Sequence, residues 1–450
     1  MKGSFTATLQ PVHGSVETAR AGSRSFKALA RVLSADQLFA FADQAVVGAT
    51  SFVALLMIGR WSNARELGAY AVACSVVALF LAAQEALVTR PYAIQLHRPP
   101  GRHEEHAFGS LLLSGLLSAV AVLVLMGTAS ALFFANVTRE LTEIVFTLAG
   151  AIGFISLREF ARRFAFAHLK FKQALALDAA VALIQLLLLG LLVGTERLNA
   201  ATGVAALGIS CGIAGVAWLF LADVQFSVRL AALRATLTQT WELGKWLLCG
   251  QMAVQAQGYM TYWLSMVIAG AATTGIYAAC MSLVALANPL LFGFFNVLMP
   301  RSVRTFHNHG AGGLRQEAAR NSLVLLALLS PLCLLVICFG ENALHILFPG
   351  KEYSGNGHVL SVLALSSLAA AIGVPASIAL SAVERARAVA AVMIATSVLN
   401  VLLVWWLMRD WGLLGAAYGV LIAEMFGSFA RWAAFLTLVP KTERRRDACE

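Results

Sequence analysis

Four carboxylates that could do chemistry lie within long apolar runs of this sequence: Asp43, Glu85, Asp178 and Glu424. Burying an ionisable side chain in a membrane-length helix is expensive, so each one is a candidate for ion or proton coupling, or for gating. Asp43 and Asp178 lie near the ends of their runs, where solvation at the membrane interface explains a charged side chain as well as a functional role does. Glu85 has Arg90 nearby as a simple ion-pair partner. Glu424 lies mid-run and is the strongest coupling or cavity candidate, with Arg431 two helical turns later as its possible partner.

Arginines gather at one end of the predicted spans and form a second candidate set: Arg90, Arg158, Arg162, Arg163, Arg301 and Arg304. The planar fork of a guanidinium accepts paired oxygens, which suits a pyrophosphate group. The alternative for each one is anchoring by the excess of positive charge on cytoplasmic loops. We therefore predict substrate contacts at Arg90, Arg158, Arg162 and Arg301, with anchoring left open.

A polar face is the third candidate feature. Gln251, Gln255 and Tyr262 recur with Gly258 at helical spacing in the second half of the chain. The equivalent face in the first half carries Gln44, together with Gly48 and Ser51. Lipid-facing positions should be apolar, so both faces are expected to contact protein or a water-filled cavity. Packing of helices through small residues is the competing interpretation.

Other chemistries lack their motifs in the sequence. It has no G-x-x-x-x-G-K-[ST] phosphate-binding loop, and its histidines show no metal-ligand spacing. The seven cysteines are scattered and lie mostly in apolar runs, as small core residues do. We therefore expect no catalytic residue, metal or cofactor, and no nucleic-acid partner despite the net charge of +10.

The elements that position these residues are membrane-spanning helices. Of the 450 residues, 59% are hydrophobic and only 12% are charged, with a mean hydropathy of +0.77. Apolar runs of roughly twenty residues are long enough to cross a bilayer as helices. They predict an all-α polytopic membrane protein with twelve spans, at 39–59, 68–89, 108–134, 141–158, 174–194, 200–222, 246–269, 273–299, 320–340, 357–381, 387–408 and 412–438.

Charge placement predicts the orientation. With both termini cytoplasmic, 26 of the 33 Lys and Arg residues fall on inner segments and six fall on outer loops. Arg431 is the remaining one and lies in the last span. The predicted organisation is a cytoplasmic tail at 1–38, a six-helix lobe at 39–222, a cytoplasmic linker at 223–245, a second six-helix lobe at 246–438 and a basic cytoplasmic tail at 439–450.

An internal repeat relates the two lobes. "GAYAVACSVVAL" begins at Gly68, and "GIYAACMSLVAL" begins at Gly275, 207 residues later. Each copy is the second helix of its lobe. Because six spans is an even number, both lobes start on the same side, and the repeat is parallel about an axis along the membrane normal. Two such bundles enclose a cavity that can open to either side, which is the architecture of a secondary transporter.

Three stretches carry a resemblance to a known group of proteins: "FADQAVVGATSFVALLMIGRWSNARELGAYAVACS", "LREFARRFAFAHLKFKQALALD" and "WGLLGAAYGVLIAE". They resemble the multidrug, oligosaccharidyl-lipid and polysaccharide exporter (MOP) superfamily, and within it the polysaccharide transporter and O-antigen flippase branch. The resemblance implies a two-lobed flippase of the cell inner membrane that translocates polyprenyl-pyrophosphate-linked oligosaccharide by alternating access. It further implies membrane lipids, a polysaccharide polymerase and a chain-length regulator as partners, in exopolysaccharide or lipopolysaccharide synthesis.

Two other functions remain open. An ion-coupled multidrug antiporter of the same superfamily often has an acidic residue in its first span, to which Asp43 would correspond. A membrane glycosyltransferase or polymerase acting on lipid-linked sugars commonly carries its catalytic groups on a long outer loop. The predicted outer loops here are all short, which argues against that enzyme.

Overall fold

A computed structural model describes residues 35–96, 103–135, 139–221 and 230–439. Throughout these ranges the secondary structure is helical, with short turns and no strand. Ten of the helices in the described ranges are long and apolar enough to cross a membrane. Most of the predicted N-terminal tail, and all but one residue of the predicted C-terminal tail, lie outside the described residues.

The described part of the first half contains seven helices. Their bounds are α1 (Ala35–Trp61), α2 (Ala64–Gln84), α3 (Arg90–Leu96), α4 (His103–Phe134), α5 (Arg139–Ala167), α6 (Phe171–Gly194) and α7 (Ala200–Leu221). A single π-helical turn, Glu85–Thr89, joins α2 to α3, and the residues at both of its ends keep right-handed helical dihedral angles. The Asn63 side chain caps α2 by accepting a hydrogen bond from the Glu66 amide.

Between residues 230 and 439 the second half has four α-helices: α8 (Leu230–Val284), α9 (Asn288–Leu347), α10 (Gly357–Ala382) and α11 (Ala386–Leu438). Three of them are too long for one crossing and are interrupted at Gly270, Gly310 and Gly412. Each of these glycines has a positive φ, which an L side chain rarely adopts, so the chain turns there. Division at the three glycines is compatible with twelve spans, and that number stays a prediction.

Tight turns between helices end at residues in the left-handed region. Leu169, Glu196 and Glu384 have φ of 57°, 56° and 60°. In each case the next amide reaches back to a carbonyl five residues earlier, as between Lys170 and Ala165 at 2.8 Å. This closure satisfies helix-end carbonyls and returns the chain directly into the next helix.

Two helices extend further than the sequence predicts. The fourth span was expected to end near residue 158, yet α5 continues to Ala167 and carries the arginine-rich stretch on helical turns. Similarly, α8 begins at Leu230, so the described part of the predicted 223–245 linker is helical. The extension of α5 has a physical cause, because its arginines find carboxylate partners on neighbouring helices.

The halves meet mainly where α2 packs along α8. Gly68 and Gly275 mark the tightest point, since a Cβ built on Gly68 would lie 1.9 Å from the Ala271 carbonyl oxygen. A Cβ on Gly275 would lie 1.8 Å from the Ala64 oxygen. The two glycines of the repeated dodecamer therefore let the backbones of the two halves touch, in the manner of small-residue helix contacts in membranes.

Candidate functional site

An ion-pair network buried between α1, α5 and α6 is the main candidate site. At its centre the Arg162 Nη2 atom donates to Asp43 Oδ2 at 2.6 Å, and Arg162 Nε lies 2.7 Å from Asp178 Oδ2. The Asp43 and Asp178 side chains have no solvent exposure, and that of Arg162 has 7%. One guanidinium thus holds together an aspartate from each of two neighbouring helices.

Two further residues of α5 complete the buried part of the network. Arg158 Nη2 lies 2.5 Å from Asp178 Oδ1, and Arg158 Nη1 donates to Glu159 Oε2 at 3.2 Å. The other Glu159 oxygen accepts from Arg162 at 3.4 Å. Burial is tolerated here because each charge faces opposite charges at contact distance.

The network reaches the surface at a rim on the π-helical turn. Glu85 accepts from Arg163 Nη2 at 3.0 Å on one oxygen and from Arg90 Nε at 2.8 Å on the other. Arg163 also donates to Glu159 at 2.8 Å, which links the rim to the buried part. The Arg163 and Arg90 side chains are 37% and 44% exposed, so these two guanidinium groups are the accessible ones.

Charge in the network is balanced overall but not in its interior. Four arginines face four carboxylates, whereas the nearly inaccessible members are three carboxylates and two arginines. Asp43 Oδ1 has no hydrogen-bond partner, and the two Asp178 oxygens make ion-pair contacts that are poorly aligned for hydrogen bonds. Unsatisfied buried acceptors of this kind favour a change of partners.

A smaller charged site lies in the second half of the chain. Glu424 Oε2 accepts from Arg431 Nη2 at 3.1 Å, so these residues of α11 do pair. The other oxygen accepts from Gln257 of α8, also at 3.1 Å. Both ionic side chains are largely inaccessible, at 19% and 12% exposure. This site connects the coupling candidate Glu424 to the α8 helix that contacts the first half.

Polar contacts cross the interface between the halves. Gln255 of α8 donates to the Ala78 carbonyl of α2 at 3.1 Å, and Trp263 Nε1 donates to Ser75 Oγ at 2.7 Å. Tyr262 packs edge-on against Tyr277 with ring centroids 4.9 Å apart. The polar face predicted on this helix therefore faces α2 at Gln255, and Tyr262 packs against the following helical segment.

The remaining predicted residues lie apart from the contacts described above. Gln44 and Arg301 are exposed, and Gln251 is half-buried. Glu159 is a residue that the sequence analysis missed, although its spacing carries a signal. It precedes Arg162 and Arg163 by three and four residues on one helix, where such pairs meet. Among the described residues, no group of three His, Cys, Asp or Glu side chains is placed to hold a metal ion.

Solved structures share this architecture. No family model and no curated protein matches the sequence. The chain superposes with a TM-score of 0.73 on an inward-facing multidrug resistance MATE family transporter of the MOP superfamily, at 13% identity over 90% of this chain and 95% of that one. The lipid II flippase MurJ, in an inward closed conformation, gives 0.65 at 12% identity over 88% and 87%. This chain therefore shares the fold of these two transporters.

The fold likeness also bears on location and conformation. Ten apolar, membrane-length helices in the described residues, in this fold, indicate a multi-pass membrane protein. An outward-facing multidrug resistance MATE family transporter superposes less well, with a TM-score of 0.60 at 12% identity over 89% of this chain and 94% of that one. The chain therefore superposes better on the inward-facing transporter than on the outward-facing one.

Proposed function

We propose that this protein is a flippase or exporter that moves a polyprenyl-pyrophosphate-linked oligosaccharide or polysaccharide precursor to the outer leaflet by alternating access. The observation that carries the substrate class is the rim of the network, where Arg90 and Arg163 hold the two oxygens of Glu85. Two accessible guanidinium groups spaced for one carboxylate also suit one phosphate group.

Glu85 is the competitor in this proposal. It occupies the arginines with a carboxylate until a pyrophosphate approaches, and its place on a π-helical turn supports a change of position. Releasing Glu85 alters the charge balance of Arg163, which also contacts Glu159. The proposed coupling path therefore runs from the rim to Asp43 and Asp178 through contacts between neighbouring side chains.

The sugar portion is assigned to the polar surface between the halves. We place it against Gln44, Gln251, Gln255 and Tyr262, because polar side chains at membrane depth are stable where they contact protein or a water-filled cavity. Arg301 and the buried Arg158 and Arg162 are positioning residues in this proposal. A polysaccharide polymerase and a chain-length regulator are the proposed partners on the product side.

A multidrug antiporter is the second candidate function. Two observations favour it: Asp43 is a fully buried acid on the first span, and Glu424 is a second, largely inaccessible acid in the other half. Proton-driven antiport needs such protonatable groups inside the membrane. The enzyme alternative is set aside in this proposal, since the structural neighbours are transporters and flippases.

Reconstituted vesicles separate the two candidates. Purified protein in proteoliposomes is supplied with a fluorescent polyprenyl-pyrophosphate oligosaccharide, and an impermeant reductant measures the fraction on the outer leaflet. A lipophilic cationic dye is tested in parallel under an imposed pH gradient. Faster leaflet exchange that is lost in Arg163→Ala but kept in Arg139→Ala supports the flippase. Dye movement without lipid exchange would instead identify the antiporter.

A further inference from the structure

The predicted outer ends of the two halves touch through charged side chains that each cap a helix of the other half. Glu352 lies between α9 and α10 and accepts, through Oε2, a hydrogen bond from the Ala64 amide at 3.0 Å. Ala64 is the first residue of α2, whose amide has no partner within its own helix. A carboxylate from the second half thus caps the positive end of a helix in the first half.

The reverse contact is made by Arg60 at the end of α1. Its Nη1 atom donates to the Ile346 carbonyl oxygen at 2.7 Å, in the last turn of α9. Carbonyls of a final turn lack intrahelical partners and carry the negative end of the helix dipole. A cation from the first half therefore caps a helix of the second half, so the two contacts are reciprocal.

An apolar contact lies beneath these caps. Phe348, which follows α9, is fully buried and fills the space beside Gly59, where Leu67 of α2 also lies. Tyr353 stacks on Phe348 with ring centroids 5.2 Å apart. Burial raises the pKa of the Tyr353 hydroxyl above its usual value, which keeps the ring neutral in this position.

We propose that Arg60, Glu352 and Phe348 form a latch that holds the outer ends of the halves together, and that it must open before the protein can face outward. The proposal rests on the alternating access proposed above. The caps are exposed and each contributes modestly, so they suit a contact that breaks in every cycle. The Gly68–Gly275 contact lies next to the latch along α2 and closes with it.

External labelling of one native cysteine tests the latch. Cys74 is half-buried on α2, six residues beyond Gly68. In a variant that retains Cys74 alone, a membrane-impermeant maleimide added outside intact cells reports how often the outer ends separate. We expect Arg60→Ala and Glu352→Ala each to raise the labelling rate about two- to five-fold, and the double variant about tenfold. Glu352→Gln, which keeps an acceptor oxygen, should fall between wild type and Glu352→Ala.

Glu66→Ala is the matched control. Glu66 caps α7 by accepting from the Ala200 amide at 2.7 Å, which is the same chemistry at the same end but within one half. It should leave labelling unchanged. A double variant that labels at the wild-type rate, or a Glu66→Ala variant that labels as fast as the double, overturns the latch. Only variants that insert and purify at the parent level are compared.

A wedge variant separates failure of the latch from failure of the proposed function. Gly68→Ala forces a methyl group against the Ala271 oxygen. If it raises labelling while the cap variants do not, the halves separate but these caps do not hold them, and the latch alone is refuted. If no variant raises labelling, the movement of the halves is refuted as well.

Discussion

Arg162→Met should destabilise this protein far more than loss of an equally close ion pair at its surface. The substitution keeps much of the side-chain volume and removes the guanidinium that contacts Asp43 at 2.6 Å, Asp178 at 2.7 Å and Glu159 at 3.4 Å. The three carboxylates are 8% exposed or less. Breaking a buried pair in this way costs about 3–5 kcal/mol, because an uncompensated charge remains.

Arg139→Met is the control for this prediction. Arg139 contacts Glu143 at 2.7 Å, which is also the distance between Arg162 and Asp178, but the Arg139 and Glu143 side chains are 91% and 51% exposed. An exposed pair four residues apart on a helix contributes about 0.3–0.5 kcal/mol. Distance alone would make the two substitutions equal, whereas burial makes them differ by roughly tenfold in free energy.

Thermal unfolding of detergent-purified protein measures both losses, and a double-mutant cycle assigns the cause. Adding Asp43→Asn to Arg162→Met removes one of the stranded charges, so the double variant should recover about 1–3 kcal/mol relative to Arg162→Met. Equal losses for Arg162→Met and Arg139→Met would refute the reasoning. Additive losses in the cycle would show that Asp43 and Arg162 do not interact.

Three further outcomes are expected. Gly275→Ala should overpack the contact with α2 at a cost of about 1–3 kcal/mol, which impairs closure of the outer ends and reduces transport. Gly48→Ala should leave leaflet exchange unchanged, because a Cβ at Gly48 would have nothing within 4 Å. Trp263→Phe removes the 2.7 Å bond to Ser75 and should lower the thermal stability by about 0.5–1.5 kcal/mol; no change would exclude that contact. Glu85→Gln removes the negative charge that Arg90 and Arg163 share, so inorganic pyrophosphate should bind about three- to tenfold more tightly by calorimetry, and weaker binding would contradict the competitor role.

The sequence predicts the class of fold well because a bilayer imposes simple rules. Apolar length indicates spans, and ten membrane-length helices are present in the described residues. The repeated dodecamer marks Gly68 and Gly275 as equivalent, and the structure brings these two glycines into direct backbone contact. Ion pairs between residues that are close along the chain can also be predicted from the sequence, as for Glu85 with Arg90 and Glu424 with Arg431.

Contacts between segments that are distant in the sequence could be identified only from the folded structure. Arg162 and Asp43 are 119 residues apart, and Arg60 and Ile346 are 286 apart. Periodicity within a helix indicates which residues lie on the same face of that helix, but it carries no information on which other helix that face contacts. The arginines were therefore expected at a mouth open to substrate, while packing of α1, α5 and α6 neutralises Arg158 and Arg162 and leaves Arg90 and Arg163 as the accessible arginines of the network. Hydrophobicity determines that these helices cross the membrane, and their pairing determines which charges remain available to a ligand.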